Sequence, residues 1–112
     1  MQYLHNPRCS KSRQGLALLQ EHGASPEVIE YLKEPLNTAQ IEDIAKKLGI
    51  DDYRLMMRVK EAEYKENNLA NADQSQLLAA MESIPKLIER PILITASHAR
   101  IGRPPEALLE LL

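Results

Sequence analysis

The first thirty residues alternate between short apolar runs and one amphipathic stretch. Residues 2–5 predict a strand, which Asn6-Pro7 ends because proline cannot donate a hydrogen bond to a sheet. From Ser10 the apolar positions recur at helical spacing, and Gly23 is placed to terminate that helix. Residues 28–32 are rich in branched side chains and predict a second strand. This order is a βαβ unit, whose crossover should be right-handed.

The middle of the chain has helical patterns only. A cap at residue 37 or 38 precedes an amphipathic helix that Gly49 should end. A shorter helix is predicted from a cap at residue 51 or 52 to Arg58. Residues 77–84 predict the last helix of this block, which a proline stops.

The last quarter of the chain returns to strand patterns. Residues 91–95 form an apolar run that is typical of a buried strand, and a tight turn at Ser97-His98 leads to a partner strand at 99–102. Residues 103–106 then begin a final helix, because proline is tolerated in a first helical turn.

The predicted order is βαβ, a helical insertion, and ββα. This order indicates an α/β protein with the thioredoxin-like fold and a mixed four-stranded sheet. We expect residues 1–112 to form a single domain with the helical insertion at about 37–85. In such folds a cis proline precedes the third strand, so Arg90-Pro91 is predicted to be cis.

Composition narrows the class of protein. The chain has 112 residues, and its formal net charge of -2 argues against nucleic-acid binding. No apolar stretch is as long as a membrane span and no signal peptide is recognisable, so a cytoplasmic protein is expected. We also expect a monomer. The three histidines and one cysteine lack metal-ligand spacing, so no metal and no bound cofactor are expected.

The single cysteine, Cys9, is predicted to lie at the N-terminus of the first helix. Backbone N–H groups without intrahelical partners and the helix dipole stabilise a thiolate there, and they can also hold an oxyanion. The side chains of Arg8, Lys11 and Arg13 should act in the same direction. A lone cysteine is more often an inert apolar residue, but its polar neighbours favour a reactive thiol.

The spacing Cys9-x-x-Ser12 lacks a second thiol. A mixed disulfide formed at Cys9 would therefore need an external thiol to resolve it, and glutathione and glutaredoxin are the natural suppliers. Ser12 itself could cap the helix, hydrogen-bond the thiolate, or be an ordinary first-turn serine.

Five segments in the same order resemble motifs of the glutaredoxin-dependent arsenate reductases. They are distributed along nearly the whole chain and read "YLHNPRCSKSR", "YLKEP", "RLMMRVKEAEYKE", "LIERPILIT" and "RIGRPPE". The resemblance implies reduction of arsenate to arsenite through a cysteinyl–arsenate adduct, with glutathione as cosubstrate and glutaredoxin as partner.

The resemblance also assigns residues. It implies that Cys9 is the nucleophile, that Arg58, Arg90 and Arg103 surround the oxyanion, and that His5 helps to hold the thiolate. Guanidinium groups suit this task because they remain charged and donate in a planar fork. The first-turn residues Ser10, Lys11 and Ser12 are expected to contribute to substrate binding.

Two departures and two alternatives accompany this interpretation. Ser10-Lys11 stands where well-known members have Gly-Thr, and Gly102 stands where some carry another cysteine. One alternative is an Spx-like regulator that binds RNA polymerase, although Ser12 replaces the second thiol of its redox switch. The other is a monothiol glutaredoxin-like protein with another substrate.

Overall fold

The computed structural model describes all 112 residues, and their contacts group into two compact units. Residues Met1–Glu34 and Arg90–Leu112 form one, here called the sheet unit, and Pro35–Glu89 forms the other, the helical unit. The helical unit contains the predicted insertion at 37–85. The assignment of the whole chain to one domain stays a prediction.

The sheet unit contains a mixed four-stranded sheet in the order β2-β1-β3-β4. β1 pairs in parallel with β2 and antiparallel with β3, which pairs antiparallel with β4. This is the predicted thioredoxin-like arrangement. The strands are β1 (Gln2–Leu4), β2 (Glu27–Ile29), β3 (Ile92–Ile94) and β4 (Ala99–Ile101).

Helix α1 (Ser10–Glu21) connects β1 to β2, as predicted. His22 caps its C-terminus, and Gly23 follows with φ 82°, a left-handed conformation that glycine adopts readily. The core of the unit joins one buried side chain from each of four elements: Tyr3, Leu19, Leu93 and Leu108. Burial of these apolar surfaces fixes α1, and therefore its N-terminus, against the sheet.

Two predicted elements of the sheet unit differ from the structure. β2 ends at Ile29 rather than at residue 32, because the chain turns where the N–H groups of Lys33 and Glu34 both donate to the Glu30 carbonyl. The final helix, Pro105–Leu111, is a 3₁₀ helix. Its first bond runs from the Ala107 N–H to the Pro104 carbonyl, three residues back, which is the spacing of a 3₁₀ helix.

The helical unit contains three α-helices and three 3₁₀ turns. The α-helices are α2 (Thr38–Leu48), α3 (Ala62–Glu66) and α4 (Gln74–Ser83), and the 3₁₀ helices are Tyr53–Met56, Leu69–Asn71 and Pro85–Leu87. The short helix predicted to reach Arg58 is wrong in type and end, because it is the 3₁₀ helix that stops at Met56. Its predicted cap is correct, since the Asp52 carboxylate accepts from the Arg54 N–H.

Both longer helices of this unit begin with a complete capping box. Asn37 and Gln40 exchange side-chain and backbone hydrogen bonds at the start of α2, each 2.9 Å long. Asp73 and Gln76 do the same at the start of α4. Such caps satisfy N–H groups that a helix cannot pair internally. No helix of the protein has both the length and the apolar character needed to span a bilayer.

Candidate active site

Cys9 is the N-cap residue of α1, as the sequence predicts. Its backbone is extended, with φ -95° and ψ 122°, and its carbonyl accepts the first helical hydrogen bond from the Arg13 N–H at 3.0 Å. Its side chain makes no capping bond of the usual kind. The thiol is partly buried and free, so the helix presents its first N–H groups to a sulfur atom.

The loop before Cys9 is folded around Asn6. The Asn6 carbonyl accepts from the Cys9 N–H at 3.0 Å, and its side-chain oxygen accepts from the Arg8 N–H at 3.0 Å. The Arg13 guanidinium reaches back from the helix and donates to the Pro7 carbonyl at 2.8 Å. These bonds close a tight turn that places the cysteine at the helix start.

The pKa of the Cys9 thiol is lowered from its ordinary value. Burial acts in the opposite direction and raises the pKa, but several groups outweigh it. The backbone N–H of Ser12, the hydrogen bonding and charge of Arg90, and the backbone N–H of Lys11 all stabilise the thiolate. A nucleophilic thiolate is therefore favoured at a lower pH than in a free cysteine.

The source of this stabilisation differs from part of the sequence prediction. Arg8, Lys11 and Arg13 were expected to act through their charged side chains, yet Lys11 acts through its backbone N–H and Arg13 binds the loop carbonyl of Pro7. The charge that lowers the pKa is that of Arg90, which is distant in sequence. Proximity along the chain favours Arg8, Lys11 and Arg13, whereas the folded sheet unit brings Arg90 to the sulfur.

Arg90 and Arg103 meet beside Cys9. The Arg103 guanidinium places Nη2 4.0 Å from the Cys9 sulfur, while its Nε donates to the Arg90 carbonyl at 3.0 Å. The Arg90-Pro91 peptide bond is cis, as predicted, and Arg103-Pro104 is also cis, which the sequence analysis did not anticipate. Two predicted site arginines are thus brought together with the thiol.

One donor of Arg90 has no partner within the protein. Its Nε is buried and makes no hydrogen bond. Leaving such a donor unpaired costs about 1–3 kcal/mol, and more when the group is charged. A buried guanidinium donor beside a thiolate is therefore available to an anionic ligand.

Ser12 is fully buried, and its hydroxyl serves neither of the two specific roles predicted for it. Its Oγ accepts from the Asn6 N–H at 3.0 Å and lies 2.7 Å from Nδ1 of His5. The thiolate is stabilised instead by the backbone N–H of the same residue. The side chain of Ser12 is held by His5 and Asn6, while its backbone N–H lowers the pKa of the thiol.

His5 is 8% exposed and contacts Ser12. Burial lowers the pKa of its imidazole, Arg13 lowers it further, and Glu30 partly offsets both. Because the ordinary value is about 6.5, the ring is neutral near pH 7. His5 can therefore help to hold the thiolate by positioning Ser12, rather than as a cation.

Three further predicted residues are placed but not assigned. Ser10 and Lys11 are exposed in the first turn of α1, so their role in substrate binding stays a prediction. Arg58 lies in the helical unit beyond the 3₁₀ helix, where its Nε donates to a Glu61 carboxylate oxygen at 2.8 Å. Its proposed contact with the oxyanion also stays a prediction.

Comparison with known proteins identifies the family. The family model described as the ArsC family matches residues 4–111. The chain belongs to the ArsC family. Uncharacterized protein YfgD of Escherichia coli K12 is 52% identical over 109 residues, which cover 96% of this chain and 92% of that protein.

Two further proteins that this chain resembles are named arsenate reductases. An arsenate reductase of Haemophilus influenzae is 51% identical over 110 residues, covering 96% of this chain and 95% of that protein. The structure of an arsenate reductase from Vibrio cholerae superimposes with a TM-score of 0.95 at 46% identity, covering 100% of this chain and 98% of that one.

Sequence reasoning missed two residues that build the site of this ArsC chain. Asn6 was interpreted only as a strand breaker, although an Asn-Pro pair also signals a side-chain-closed turn. Tyr3 was interpreted only as a strand residue, yet its hydroxyl donates to the Ser12 carbonyl at 2.6 Å. No local pattern announces that second contact, since it joins a strand to a helix.

Proposed function

We propose that the protein reduces arsenate to arsenite, with Cys9 as nucleophile and glutathione and glutaredoxin as the source of electrons. The observation that carries this proposal is the Cys9 thiol at the start of α1, with a lowered pKa and the Arg103 guanidinium 4.0 Å away. The name of the 51% identical Haemophilus influenzae relative supports the choice of arsenate.

The groups around Cys9 suit a tetrahedral oxyanion. Arg90 and Arg103 supply two guanidinium groups near the sulfur, and the first-turn N–H groups supply neutral donors. The unpaired Nε of Arg90 offers a buried donor that an arsenate oxygen would satisfy. Preorganised donors of this kind also stabilise the charge that develops as a thiolate attacks an anion.

The first chemical step is nucleophilic. The Cys9 thiolate attacks arsenic, an S–As bond forms, and one arsenate oxygen leaves as water after taking up protons. The product is a cysteinyl–arsenate adduct in which arsenic is still As(V). Arg90 and Arg103 would hold the remaining oxygens.

The second step reduces arsenic. A glutathione thiolate attacks the Cys9 sulfur, and the electron pair of the S–As bond stays on arsenic, which leaves as arsenite, As(III). Cys9 is then joined to glutathione in a mixed disulfide, because no second cysteine is present to resolve it. A glutaredoxin thiolate attacks the glutathione sulfur and returns Cys9 to its thiolate form.

The test couples turnover to NADPH consumption through glutathione reductase. Arsenate, glutathione and glutaredoxin are supplied to the wild type and to Cys9→Ser, with matched reactions lacking arsenate or glutaredoxin. We expect consumption only with the wild type and only when both are present. Equal rates for the two proteins would remove arsenate reduction, while wild-type turnover without glutaredoxin would remove that partner.

A further inference from the structure

Tyr3 lies beneath the site without reaching the sulfur. Its side chain is fully buried, and its ring lies 5.7 Å from that of His5. Its hydroxyl donates to the Ser12 carbonyl at 2.6 Å. Burial is the main cause that raises the pKa of the phenol well above its ordinary value, so the hydroxyl remains a neutral donor.

Gly15 provides the space for that hydroxyl. A Cβ at this buried helical position would overlap the Tyr3 hydroxyl, and it would also lie 3.0 Å from Cδ1 of Leu108 and 3.2 Å from Cγ of Pro91. Glycine inside a helix costs about 1 kcal/mol relative to alanine. Helix α1 accepts this cost at Gly15, three residues after Ser12, where the Tyr3 hydroxyl approaches the helix.

Two of the three polar groups of Ser12, its carbonyl and its hydroxyl, are held by hydrogen bonds. Its carbonyl accepts from Tyr3, and its hydroxyl is tied to His5 and to the Asn6 N–H. Its remaining polar group is its backbone N–H, and Ser12 is the third residue after the N-cap Cys9, the position whose N–H is directed towards an N-cap side chain. The pKa of the Cys9 thiol is lowered by this N–H. Because hydrogen bonds weaken steeply with misalignment, anchoring the rest of the residue determines how well that N–H faces the sulfur.

We propose that the Tyr3 hydroxyl, admitted by Gly15, is a positioning group that keeps the Ser12 N–H directed at the Cys9 thiolate. Packing alone would not require it, since a phenylalanine ring would fill the same apolar space. A role of Tyr3 in catalysis rests on the proposed function, but the effect of Tyr3 on the thiol can be tested without arsenate.

The primary test is Tyr3→Phe, read as the pH dependence of Cys9 alkylation by iodoacetamide. We expect the midpoint to rise by about half a pKa unit, which reduces the thiolate fraction about threefold at pH values below both midpoints. Tyr64→Phe is the matched control, because it removes the hydroxyl of a buried tyrosine in the helical unit. It should leave the midpoint unchanged.

Gly15→Ala gives an independent test of the same contact. The added methyl group displaces the Tyr3 hydroxyl, so the midpoint should rise as in Tyr3→Phe. Combining the two substitutions should produce no further rise, because the same hydrogen bond is lost once. A Tyr3→Phe protein whose midpoint equals that of the wild type overturns the proposal and leaves Tyr3 a core residue. A shifted midpoint in a protein that does not reduce arsenate would instead overturn only the proposed function.

Discussion

The N-terminus of α1 and that of α2 are the same structural feature used in two ways. Helix α2 begins with Asn37 and Gln40, which satisfy its first N–H groups reciprocally. Helix α1 begins with Cys9, whose side chain makes no such bond. Its N–H groups at Lys11 and Ser12 act on the thiolate instead. The N-terminus of α2 therefore stabilises the fold, whereas the N-terminus of α1 stabilises the thiolate of Cys9.

The difference shows how a helix end becomes reactive. An N-cap serine, asparagine or aspartate contributes about 1 kcal/mol of stability, and α1 forgoes that contribution. In return, the thiolate replaces the cap as acceptor, and the cis Arg90-Pro91 segment brings a guanidinium charge to it. The buried anchors of Ser12 keep the donor in place while the sulfur stays accessible.

The largest expected effect comes from replacing the thiol at the N-cap of α1. Cys9→Ser and Cys9→Ala should both lose all turnover, since neither has a thiol. The serine variant should unfold with a free energy about 1 kcal/mol higher than the alanine variant, because its hydroxyl can cap the exposed N–H groups. Denaturant unfolding measures this difference. Equal stabilities would mean that this helix end gains nothing from a cap.

Removing the charge that faces the sulfur should have the next largest effect. Arg90→Ala is expected to lower kcat/KM for arsenate by about 100-fold, as loss of a preorganised donor does in other enzymes. Arg100→Ala is the matched control, because that side chain pairs with Glu110 at 2.9 Å on the surface. Similar kinetics for the two variants would contradict the role given to Arg90.

An acidic residue in the first turn of α1 should stabilise the helix and at the same time make the Cys9 thiol less reactive. Ser10→Asp is expected to stabilise the helix by about 0.5 kcal/mol through the dipole. Its negative charge should also raise the pKa of the Cys9 thiol, so alkylation near pH 7 should slow about threefold. Ser10→Asn, which adds similar bulk without charge, should alkylate at the wild-type rate. If Ser10→Asn slowed alkylation as much as Ser10→Asp, the bulk of the side chain and not its charge would be the cause.

The smallest effect on Cys9 is expected from a change at the N-terminus of α2. Asn37→Ala should lower the free energy of unfolding by about 1 kcal/mol, because it breaks the capping box of α2. Cys9 alkylation should be unchanged in the folded protein. A slower reaction would mean that the cap of α2 also governs the thiol.

The sequence predicts well those elements that local chemistry specifies. Helix α1 ends two residues before Gly23 and α2 ends immediately before Gly49, and both glycines have the positive φ that terminates a helix readily. The cap choice between residues 37 and 38 could also be resolved in principle, since Gln40 completes a capping box only with Asn37. Such signals lie within a few residues of the element they define.

The features of the fold and of the site that the sequence did not predict depend on hydrogen-bond spacing or on contacts between residues distant in sequence. The 3₁₀ form of Pro105–Leu111 follows from hydrogen-bond spacing that apolar periodicity does not distinguish from an α-helix. The charge of Arg90 on Cys9 and the Tyr3 contact with Ser12 exist only once the sheet brings strands and helix together. The reactivity of Cys9 stays a prediction, and the charge that lowers its pKa is that of Arg90 rather than those of its neighbours in sequence.

The central claim is that Cys9 is a stabilised thiolate, and its ultraviolet titration tests this most directly. Because the pKa is lowered in the folded state, the sulfur should ionise at a lower pH than in the unfolded chain. Ionisation of Cys9 therefore contributes to the free energy of unfolding at pH values above the pKa of the thiol in the unfolded chain. This contribution is lost as the pH falls through the lower pKa of the thiol in the folded protein. We predict a thiolate absorbance with a midpoint below about 8.5, the value of a free cysteine, that is absent from Cys9→Ser. A midpoint at or above that of free cysteine would contradict the account.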